Sequence, residues 1–402
     1  MVKKGSLPLV LFLSLLMGCV TTPYTQRSQV MLVSESQEIE MGKEAYRQIL
    51  RDSVLSHDRE ALRIVRRVGR RIARAANKPI YKWEFNVVND PETVNAFAVP
   101  GGKVAVYTGI FKAARDEAGL AVVLGHEVAH ALARHAGERM SQGMLVQLGG
   151  VGLSAALGSR SQLGNQVLQA YGLGTGVGLI LPFGRAQESE ADRIGLILMA
   201  KAGYDPRAAL AVWERMRKQE AGKQGSGSPP EFLSTHPGYK TRTAQLRAFI
   251  PKALTYYHRG GERLAQLPSP QALDSAMARA TRELLKGMQL VNAKTQDPQN
   301  EKRVVEALGS FLRMNPSFLY QERQKAQLGY GQYAALRGVT YFGRTSMRRV
   351  LANYQRGSSW GELTRSHGVR ITELTSLMRR LLRTIAPPQV RSPYRYRAPR
   401  FP

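Results

Sequence analysis

The chain has few acidic residues and almost no cysteine. Of its 402 residues, 30 are Asp or Glu and 58 are Lys or Arg, which gives a formal net charge of +28. Cys19 is the only cysteine, so a disulfide framework is excluded. Such a charge ordinarily indicates a nucleic-acid partner. For an exported protein, the polyanions available would instead be lipopolysaccharide, anionic lipid and peptidoglycan.

Long hydrophobic runs are also missing. No uninterrupted stretch of about 18 apolar residues occurs, which argues against several membrane spans. Residues 143–184 are rich in glycine and apolar residues, but Arg160, Asn165 and Gln169 interrupt them. They predict two apolar helical stretches with a glycine-rich connection, which would be either a lid beside a cleft or a structural hairpin.

The amino terminus has the form of an export signal. Lys3 and Lys4 precede a short apolar run at residues 7–17. Leu16–Cys19 resembles a bacterial lipobox, and Val20, in place of Asp, favours the outer membrane. We therefore expect residues 1–19 to be a lipoprotein signal peptide with Cys19 lipidated, and the protein to lie in the periplasm, anchored to the outer membrane of a Gram-negative bacterium. An uncleaved anchor or a plain signal peptide is the alternative. Export argues against nucleic acid as a partner, and solvated charge without a specific partner is the alternative explanation of the basic composition.

The strongest motif is His126–His130, which contains two histidines four residues apart and a glutamate between them. On a helix the two imidazoles lie one turn apart and can bind one metal ion. Catalytic zinc takes three protein ligands and keeps a water, whose proton Glu127 is placed to accept. The pattern also occurs by chance, so its context decides.

That context favours a metal site. Residues 116–139 begin with acidic residues, continue with an apolar run and end with basic ones, as the helix dipole prefers. An apolar helix that carries two histidines and a glutamate needs partners for them, and a metal ion is one. We therefore predict a helix over 116–139 and one zinc ion per chain.

The third ligand comes from residues 185–192, which open another apolar helix. Glu188 and Asp192 share a face of that helix, whereas Glu190 points elsewhere. If Glu188 binds zinc, Asp192 can accept the N–H from the far side of a ligand imidazole. An acidic first turn favoured only by the helix dipole is the alternative interpretation.

These residues resemble the zinc metallopeptidase family that includes the HtpX heat-shock protease, the Ste24 CAAX prenyl protease and the mitochondrial Oma-type protease. The resemblance covers residues from about 35 to 250 and is closest to the soluble, periplasmic, BepA-like branch. It implies a zincin-like fold of the gluzincin type, with His126, His130 and Glu188 on zinc, Glu127 as general base and Asp192 behind a histidine. Four segments carry it: Asn95–Gly102 with the strand Lys103–Tyr107, His126–His130, Arg185–Asp192, and Ser234–Pro237 with Arg242.

The segment Asn95–Gly102 leads into alternating apolar residues that include Val104, a pattern typical of a turn and a strand. Zinc peptidases commonly bind a substrate as an added strand. An exposed edge at Asn95, Gly102 and Val104 would therefore recognise peptide backbone. An ordinary core hairpin explains the same pattern equally well.

His236 and Arg242 gain significance only from the resemblance. By itself, a histidine before a proline is typical of a loop. We expect His236 to approach the zinc, either as a fourth ligand that keeps the enzyme latent or as a donor to the oxyanion. Arg242 either supports the same site or is a surface arginine, which is the default interpretation. The spacing of His135 assigns it no role.

The domain organisation follows from the resemblance for the first part of the chain and from composition for the rest. Residues 20–252 form the predicted metallopeptidase domain, mostly helical with a small sheet, which makes the fold class α+β. Residues 253–349 form an arginine-rich helical region without a clean 34-residue repeat. Residues 350–386, which include Trp360, predict a helix-turn-helix or a LysM-like peptidoglycan-binding segment. Residues 387–402 form a basic tail that is expected to be disordered.

We therefore predict a zinc endopeptidase that cleaves misfolded or stalled envelope and outer-membrane proteins as quality control. Two alternatives remain. The first is a periplasmic chaperone or assembly scaffold with a largely latent zinc site. The second is an adaptor tethered to peptidoglycan through the Trp360 segment.

Overall fold

The computed structural model describes residues 19–156, 184–221, 236, 239–258 and 264–385. The predicted signal sequence before Cys19, the glycine-rich connection 157–183 and the basic tail 387–402 lie outside the described residues. Those described up to Arg282, together with Gly357–Trp360, form one compact unit, and the others form a second. Among the described residues, no helix is both long and apolar enough to span a bilayer.

The first unit contains five strands and eight helices in its described part up to Leu254. Its strands are β1 (Cys19–Thr21), β2 (Ser28–Val30), β3 (Glu84–Val88), β4 (Ala96–Val99) and β5 (Lys103–Tyr107). Its helices are α1 (Glu35–Arg51), α2 (Arg59–Ala76), α3 (Phe111–Ala114), α4 (Glu117–Leu132), α5 (His135–Ala156), α6 (Arg185–Lys201), α7 (Ala208–Ala221) and α8 (Tyr239–Leu254).

The main sheet has the order β3-β5-β4. β5 is parallel to β3 and antiparallel to β4, with Val99 opposite Lys103. The β4–β5 turn contains Gly101 and Gly102 at φ values of 86° and 83°, which glycine tolerates without steric cost. Because β5 is central, Val104 pairs on both sides, and the edge of this hairpin is β4. The expected edge at Val104 is therefore corrected to Ala96–Val99.

The core of this unit is built around α4. Every residue of α4 is buried, and its N-cap Asp116 accepts a hydrogen bond from the N–H of Gly119. α2 packs against it with apolar side chains at helical spacing, including Ile64, Val68 and Ile72. Five of the seven arginines of α2 are exposed, and Arg67 pairs with Glu117 of α4. The core also includes Ala253 and Leu273, so residues beyond 252, assigned by composition to the C-terminal region, pack with the first unit.

The single helix predicted over 116–139 is in fact two helices. α4 ends at Leu132, and Arg134 adopts a left-handed conformation with φ of 56° before α5 begins at His135. Such a residue terminates a helix because its backbone reverses handedness. Arg134 is held there by an ion pair with the buried carboxylate of Glu38 and a 3.0 Å hydrogen bond to the carbonyl of Val33. These partners are about a hundred residues away, so local sequence does not reveal the break.

α4 and α6 approach closely through two glycines. A Cβ added at Gly125 would lie 2.8 Å from the carbonyl oxygen of Gly195, and one at Gly195 would lie 2.9 Å from the carbonyl carbon of Gly125. Only glycine allows two backbones this close. The contact brings the first turn of α6 beside the middle of α4, where the motif residues lie.

The described residues from 276 onward, which include those of the second unit, are helical. Between residues 276 and 385 the structure has helices and no strand: α9 (Ala276–Lys294), α10 (Pro298–Leu312), α11 (Pro316–Ala326), α12 (Tyr330–Phe342), α13 (Met347–Gln355), α14 (Trp360–Ser366) and α15 (Ile371–Ile385). α15 is amphipathic, with buried Leu374, Leu377 and Leu381. The expected α+β architecture, mostly helical with a small sheet and followed by helices, is confirmed. Helices cover 347–355, 360–366 and 371–385, and no strand occurs between 276 and 385. The assignment of 350–386 to a helix-turn-helix or a LysM-like segment stays a prediction.

Candidate metal centre

α4 and α6 bring the predicted ligand atoms together. The Nε2 atoms of His126 and His130 are 3.0 Å apart, and Glu188 lies 3.4 Å from each of them, through Oε2 and Oε1 respectively. His236 adds a fourth donor, with its Nδ1 at 3.3 Å from His126 Nε2 and 3.0 Å from Glu188 Oε1. All four residues are buried.

This donor set fits zinc. Four ligands at about 2.0–2.1 Å in a tetrahedron lie about 3.3 Å from one another, and the distances between these donors run from 3.0 to 3.4 Å. Two imidazole nitrogens that face each other at 3.0 Å in a buried site need a proton or a cation between them. The four residues could therefore hold one metal ion.

Glu127 lies beside this group. Its carboxylate is buried and accepts a hydrogen bond from the backbone N–H of Ala98 on β4. Its Oε1 lies 3.5 Å from His236 Nε2 and forms no hydrogen bond within the described part of the chain. Burial raises the pKa of this carboxyl above its usual value, against the opposing charges of His236 and His126. A group that gains affinity for a proton beside a metal site is suited to general base chemistry.

The outer nitrogen of His126 has a carboxylate partner. His126 Nδ1 lies 3.1 Å from Asp192 Oδ1, and Arg242 donates two hydrogen bonds to the same carboxylate. Arg242 also pairs with Glu188 Oε2 at 2.6 Å and lies over the ring of Trp213. The default assignment of Arg242 to the surface is wrong, since the residue is 1% exposed. It neutralises two carboxylates that would otherwise repel each other.

The outer nitrogen of His130 has a partner that sequence reasoning missed. His135, at the start of α5, places its Nδ1 2.9 Å from His130 Nδ1, and its Nε2 lies 3.0 Å from Glu190 Oε2. Glu190 does point away from Glu188, as predicted, but it points toward His135. The helix break at Arg134 creates this contact, so the spacing from His130 to His135 gave no signal for it.

The two outer carboxylates are held ionised. Burial alone would raise the pKa of Asp192, but the charge and hydrogen bonds of Arg242 hold it below its usual value. Burial likewise opposes ionisation of Glu190, but hydrogen bonds from His135, Thr22, Thr25 and Arg27 lower its pKa to about 2. Each outer carboxylate can therefore accept a proton donor at neutral pH.

The three residues of the predicted substrate edge lie in different parts of the hairpin, and a fourth residue makes the contact with Glu127. Asn95 is buried at the start of β4, and its Oδ1 accepts the N–H of Ala96. Gly102 lies in the turn, and Val104 lies on the central strand β5. The part of the hairpin that contacts Glu127 is Ala98 on β4. Cys19 begins β1, and its predicted lipidation stays a prediction.

Comparisons with known proteins agree with this geometry. A sequence model described as peptidase family M48 matches residues 60–250. The chain is 38% identical over 234 residues to the mitochondrial metalloendopeptidase OMA1 of Schizosaccharomyces pombe, covering 58% of this chain and 66% of that one. It is 34% identical over 249 residues to the Saccharomyces cerevisiae protein of the same name, covering 58% and 70%. It is 31% identical over 231 residues to the beta-barrel assembly-enhancing protease of Escherichia coli, covering 56% of this chain but less than half of that relative, 46%.

Proposed function

Because the chain belongs to peptidase family M48, we propose that it is a zinc-dependent endopeptidase of the bacterial envelope that removes misfolded or stalled envelope proteins. Membership of a zinc metallopeptidase family makes zinc the cofactor and protein the class of substrate. The observation that carries the proposal is the buried group His126, His130, Glu188 and His236, with Glu127 beside it.

In this proposal, His126, His130 and Glu188 hold the metal and Glu127 handles protons. Zinc, when bound, polarises the substrate carbonyl and lowers the pKa of a water. Glu127 accepts the proton of the attacking water at its carboxylate and returns it to the leaving amine, for which its raised pKa suits it. Asp192 orients the ring of His126 by accepting its Nδ1–H.

Substrate would bind along β4. The N–H of Tyr107 on β5 donates to the carbonyl of Asn95, and backbone pairing in an antiparallel sheet alternates along the strand. Phe97 and Val99 therefore direct their backbone groups toward β5. Ala96 and Ala98 direct theirs to the outer edge of the sheet. This outer edge meets Glu127 through the N–H of Ala98. An extended peptide added here would present its backbone to the general base, which favours recognition of conformation over sequence.

His236 would keep the enzyme latent. Catalytic zinc sites keep one position open, whereas sites with four protein ligands are closed. The Nδ1 of His236 occupies a fourth corner of the donor group, so the residue must withdraw before water or substrate can bind. Its position also supports the alternative function, a chaperone or assembly scaffold with a mostly latent zinc site.

The envelope location rests on the lipobox-like residues at Cys19 and on the similarity to the E. coli beta-barrel assembly-enhancing protease. The fungal relatives are named as mitochondrial, so location is a prediction in its own right. Globomycin-sensitive processing of the precursor and loss of membrane association in Cys19→Ser would support the lipid anchor. Retention of Cys19→Ser in the outer-membrane fraction would contradict it. Pull-down on purified peptidoglycan, with and without residues 350–402, tests the wall as a further partner.

The decisive test measures zinc content and casein cleavage for the full chain in detergent, beside Glu127→Gln. We expect equimolar zinc in both proteins and cleavage only in the parent, with a loss of roughly 10²–10⁴-fold in the variant. Glu117→Gln is the matched control, because it changes a buried glutamate of the same helix that pairs with Arg67, away from the metal group. Absence of zinc would contradict the proposal. Zinc without cleavage in either protein, with complementation of envelope defects by Glu127→Gln, would favour the scaffold.

A further inference from the structure

α6 supplies an outer support for each of the two histidine ligands. Asp192 contacts His126 directly, whereas Glu190 reaches His130 only through His135. Each supporting carboxylate is paired with an arginine, Arg242 behind Asp192 and Arg27 behind Glu190. The His126 support lies entirely within the segment matched by the family model, but the His130 support extends to residues near the amino terminus.

In the series His130–His135–Glu190, the direction of each hydrogen bond follows from the roles of the first and last residues. His130 directs Nε2 toward the metal group, so its neutral ring carries the proton on Nδ1 and donates it. His135 must then accept at Nδ1, which leaves its own proton on Nε2. That proton points at Glu190 Oε2, 3.0 Å away, and an ionised carboxylate can only accept. Every donor in the series therefore meets an acceptor.

Glu190 is held by the hairpin formed by β1, β2 and the turn between them, residues 19–30. Thr22 donates to Glu190 Oε1 at 2.6 Å, and the hydroxyl of Thr25 donates to the same oxygen. Arg27 donates from Nε to Glu190 Oε2 at 2.7 Å. Both carboxylate oxygens are thus fixed by the hairpin, and one of them also receives His135.

The hairpin has its own attachment to the same region. Arg27 forms two further hydrogen bonds to Glu138 on α5, of 2.6 and 2.8 Å, and Gln29 donates to the carbonyl of Ala133 at the helix break. Burying His135 and the partly buried ionic cluster of Arg27, Glu138 and Glu190 is costly unless every polar group is satisfied. A hairpin that contributed only apolar packing would not require the hydrogen-bonding side chains of Thr22, Thr25 and Arg27.

We propose that His135 and Glu190 are positioning residues for the metal ligand His130, and that the hairpin of residues 19–30 is part of the metal site because it holds Glu190 in place. This inference rests on the zinc site of the proposed function. Its consequence is that a change in the segment that follows Cys19 alters metal binding at a ligand more than a hundred residues away.

The first test measures zinc affinity by competition with a chromogenic chelator, using the full chain in detergent. We expect His135→Leu and Glu190→Ala to weaken zinc binding by roughly 10- to 100-fold, the usual effect of removing the partner of a ligand histidine. His135→Asn should restore most of the affinity, because its Oδ1 can accept the His130 proton. Glu117→Ala is the matched control: it removes an equally buried carboxylate from another arginine, Arg67, without touching His135 or the hairpin, so zinc affinity should stay within about threefold of the parent.

Thermal unfolding of the metal-free proteins separates positioning from general stability. Glu190→Ala and Glu117→Ala each remove a buried carboxylate partner of an arginine, so both should lower the unfolding temperature of the metal-free protein, and only Glu190→Ala should lower zinc affinity. Equal zinc affinity in the parent, His135→Leu and Glu190→Ala would overturn the inference and leave the proposed function intact. Failure of the parent to bind zinc would overturn both.

A second test needs no variant to fold. Nitrogen NMR of the zinc-loaded protein labelled at histidine should find His135 protonated at Nε2 and bare at Nδ1, with His130 protonated at Nδ1. A proton on His135 Nδ1 would reverse the series and overturn the inference.

Discussion

Arg242 donates two parallel hydrogen bonds to Asp192, from Nε to Oδ2 and from Nη2 to Oδ1, both 2.7 Å long. The pair is buried, and the third guanidinium nitrogen pairs with Glu188 at 2.6 Å and donates to the carbonyl oxygen of His236 at 3.1 Å. One side chain from α8 therefore contacts the carboxylate behind His126, a proposed ligand and the backbone carbonyl of His236. This planar geometry suits arginine and not lysine.

Removal of Arg242 should lower the stability of the protein and its zinc content. Arg242→Ala leaves Asp192 and Glu188 as buried, uncompensated charges, so we expect a loss of about 3–5 kcal/mol in the free energy of unfolding and loss of bound zinc. Arg242→Lys should rescue little, because one ammonium cannot make the same fork. Urea unfolding and zinc analysis measure both effects.

The matched control is Arg207→Ala, since Arg207 makes the same type of pair with Asp205 on the surface. Exposed pairs contribute little, so stability and zinc content should be close to those of the parent. If Arg242→Ala behaved like Arg207→Ala, the supporting role assigned to Arg242 would be wrong.

His236→Ala should raise peptidase activity. Loss of the fourth donor opens the position that water or substrate needs, while His126, His130 and Glu188 still hold the metal. We expect a several-fold increase in the initial rate of casein cleavage, with zinc still near one per chain. His258→Ala, which changes an exposed histidine beyond α8, should leave the rate unchanged.

The other outcomes for His236→Ala separate the two roles predicted for this residue. A rate that falls while zinc is retained would indicate that His236 donates to the oxyanion instead of blocking the site. Wild-type activity with wild-type metal content would exclude both roles.

The sequence predicted the part of the site that depends on local spacing. His126 and His130 lie one turn apart on α4, and Glu188 and Asp192 lie one turn apart on α6. Helix periodicity places such pairs on one face whatever the rest of the chain does. The mostly helical fold with a small sheet was implied by the resemblance to the zinc metallopeptidase family, alongside the individual helix and strand patterns.

His135, which was missed, and Arg242, for which two roles stayed open, depend on contacts distant in sequence. His135 contacts His130 only because Arg134 breaks the helix, and Arg134 is held by Glu38, 96 residues away. Arg242 is buried because α8 packs on α6, which its own segment does not reveal. Val104 was placed on an edge because one alternating strand looks the same at the centre of a sheet as at its border.

Asp52 should make the free energy of unfolding depend on pH, and a substitution at this residue should abolish that dependence. It follows α1, its Oδ1 is buried without a hydrogen bond among the described residues, and burial raises its pKa to about 6 against the charge of Arg51. Because the folded pKa lies above the unfolded one, folding favours the protonated form. The ionised side chain therefore destabilises the protein above about pH 6, and this penalty disappears as the pH falls toward about 4.

Asp52→Asn should remove that penalty. We expect the variant to be more stable than the parent at pH 7.5 by up to about 3 kcal/mol, from about 1.4 kcal/mol per pKa unit, and equal to it at pH 4. Urea unfolding of both proteins at the two pH values measures the difference, and comparison at each pH cancels any loss of metal in acid. A gain of the same size at both pH values would exclude ionisation as its cause.

If a substrate binds along β4, the effect of modifying its backbone should alternate from one residue to the next. Only every second residue of an added strand directs its N–H to β4, where the outward carbonyls of Ala96 and Ala98 can accept it. The N–H groups of these two alanines are already bonded, to Asn95 Oδ1 and to Glu127. A series of peptides of one sequence, each with one N-methylated amide, should therefore alternate between slow and normal cleavage along the chain. Side-chain substitutions at the same positions should have smaller effects on kcat/KM, because the backbone makes the contacts. A loss confined to the scissile amide, with no alternation at its neighbours, would show that the substrate does not extend β4 and that the edge near Glu127 serves only to hold the general base.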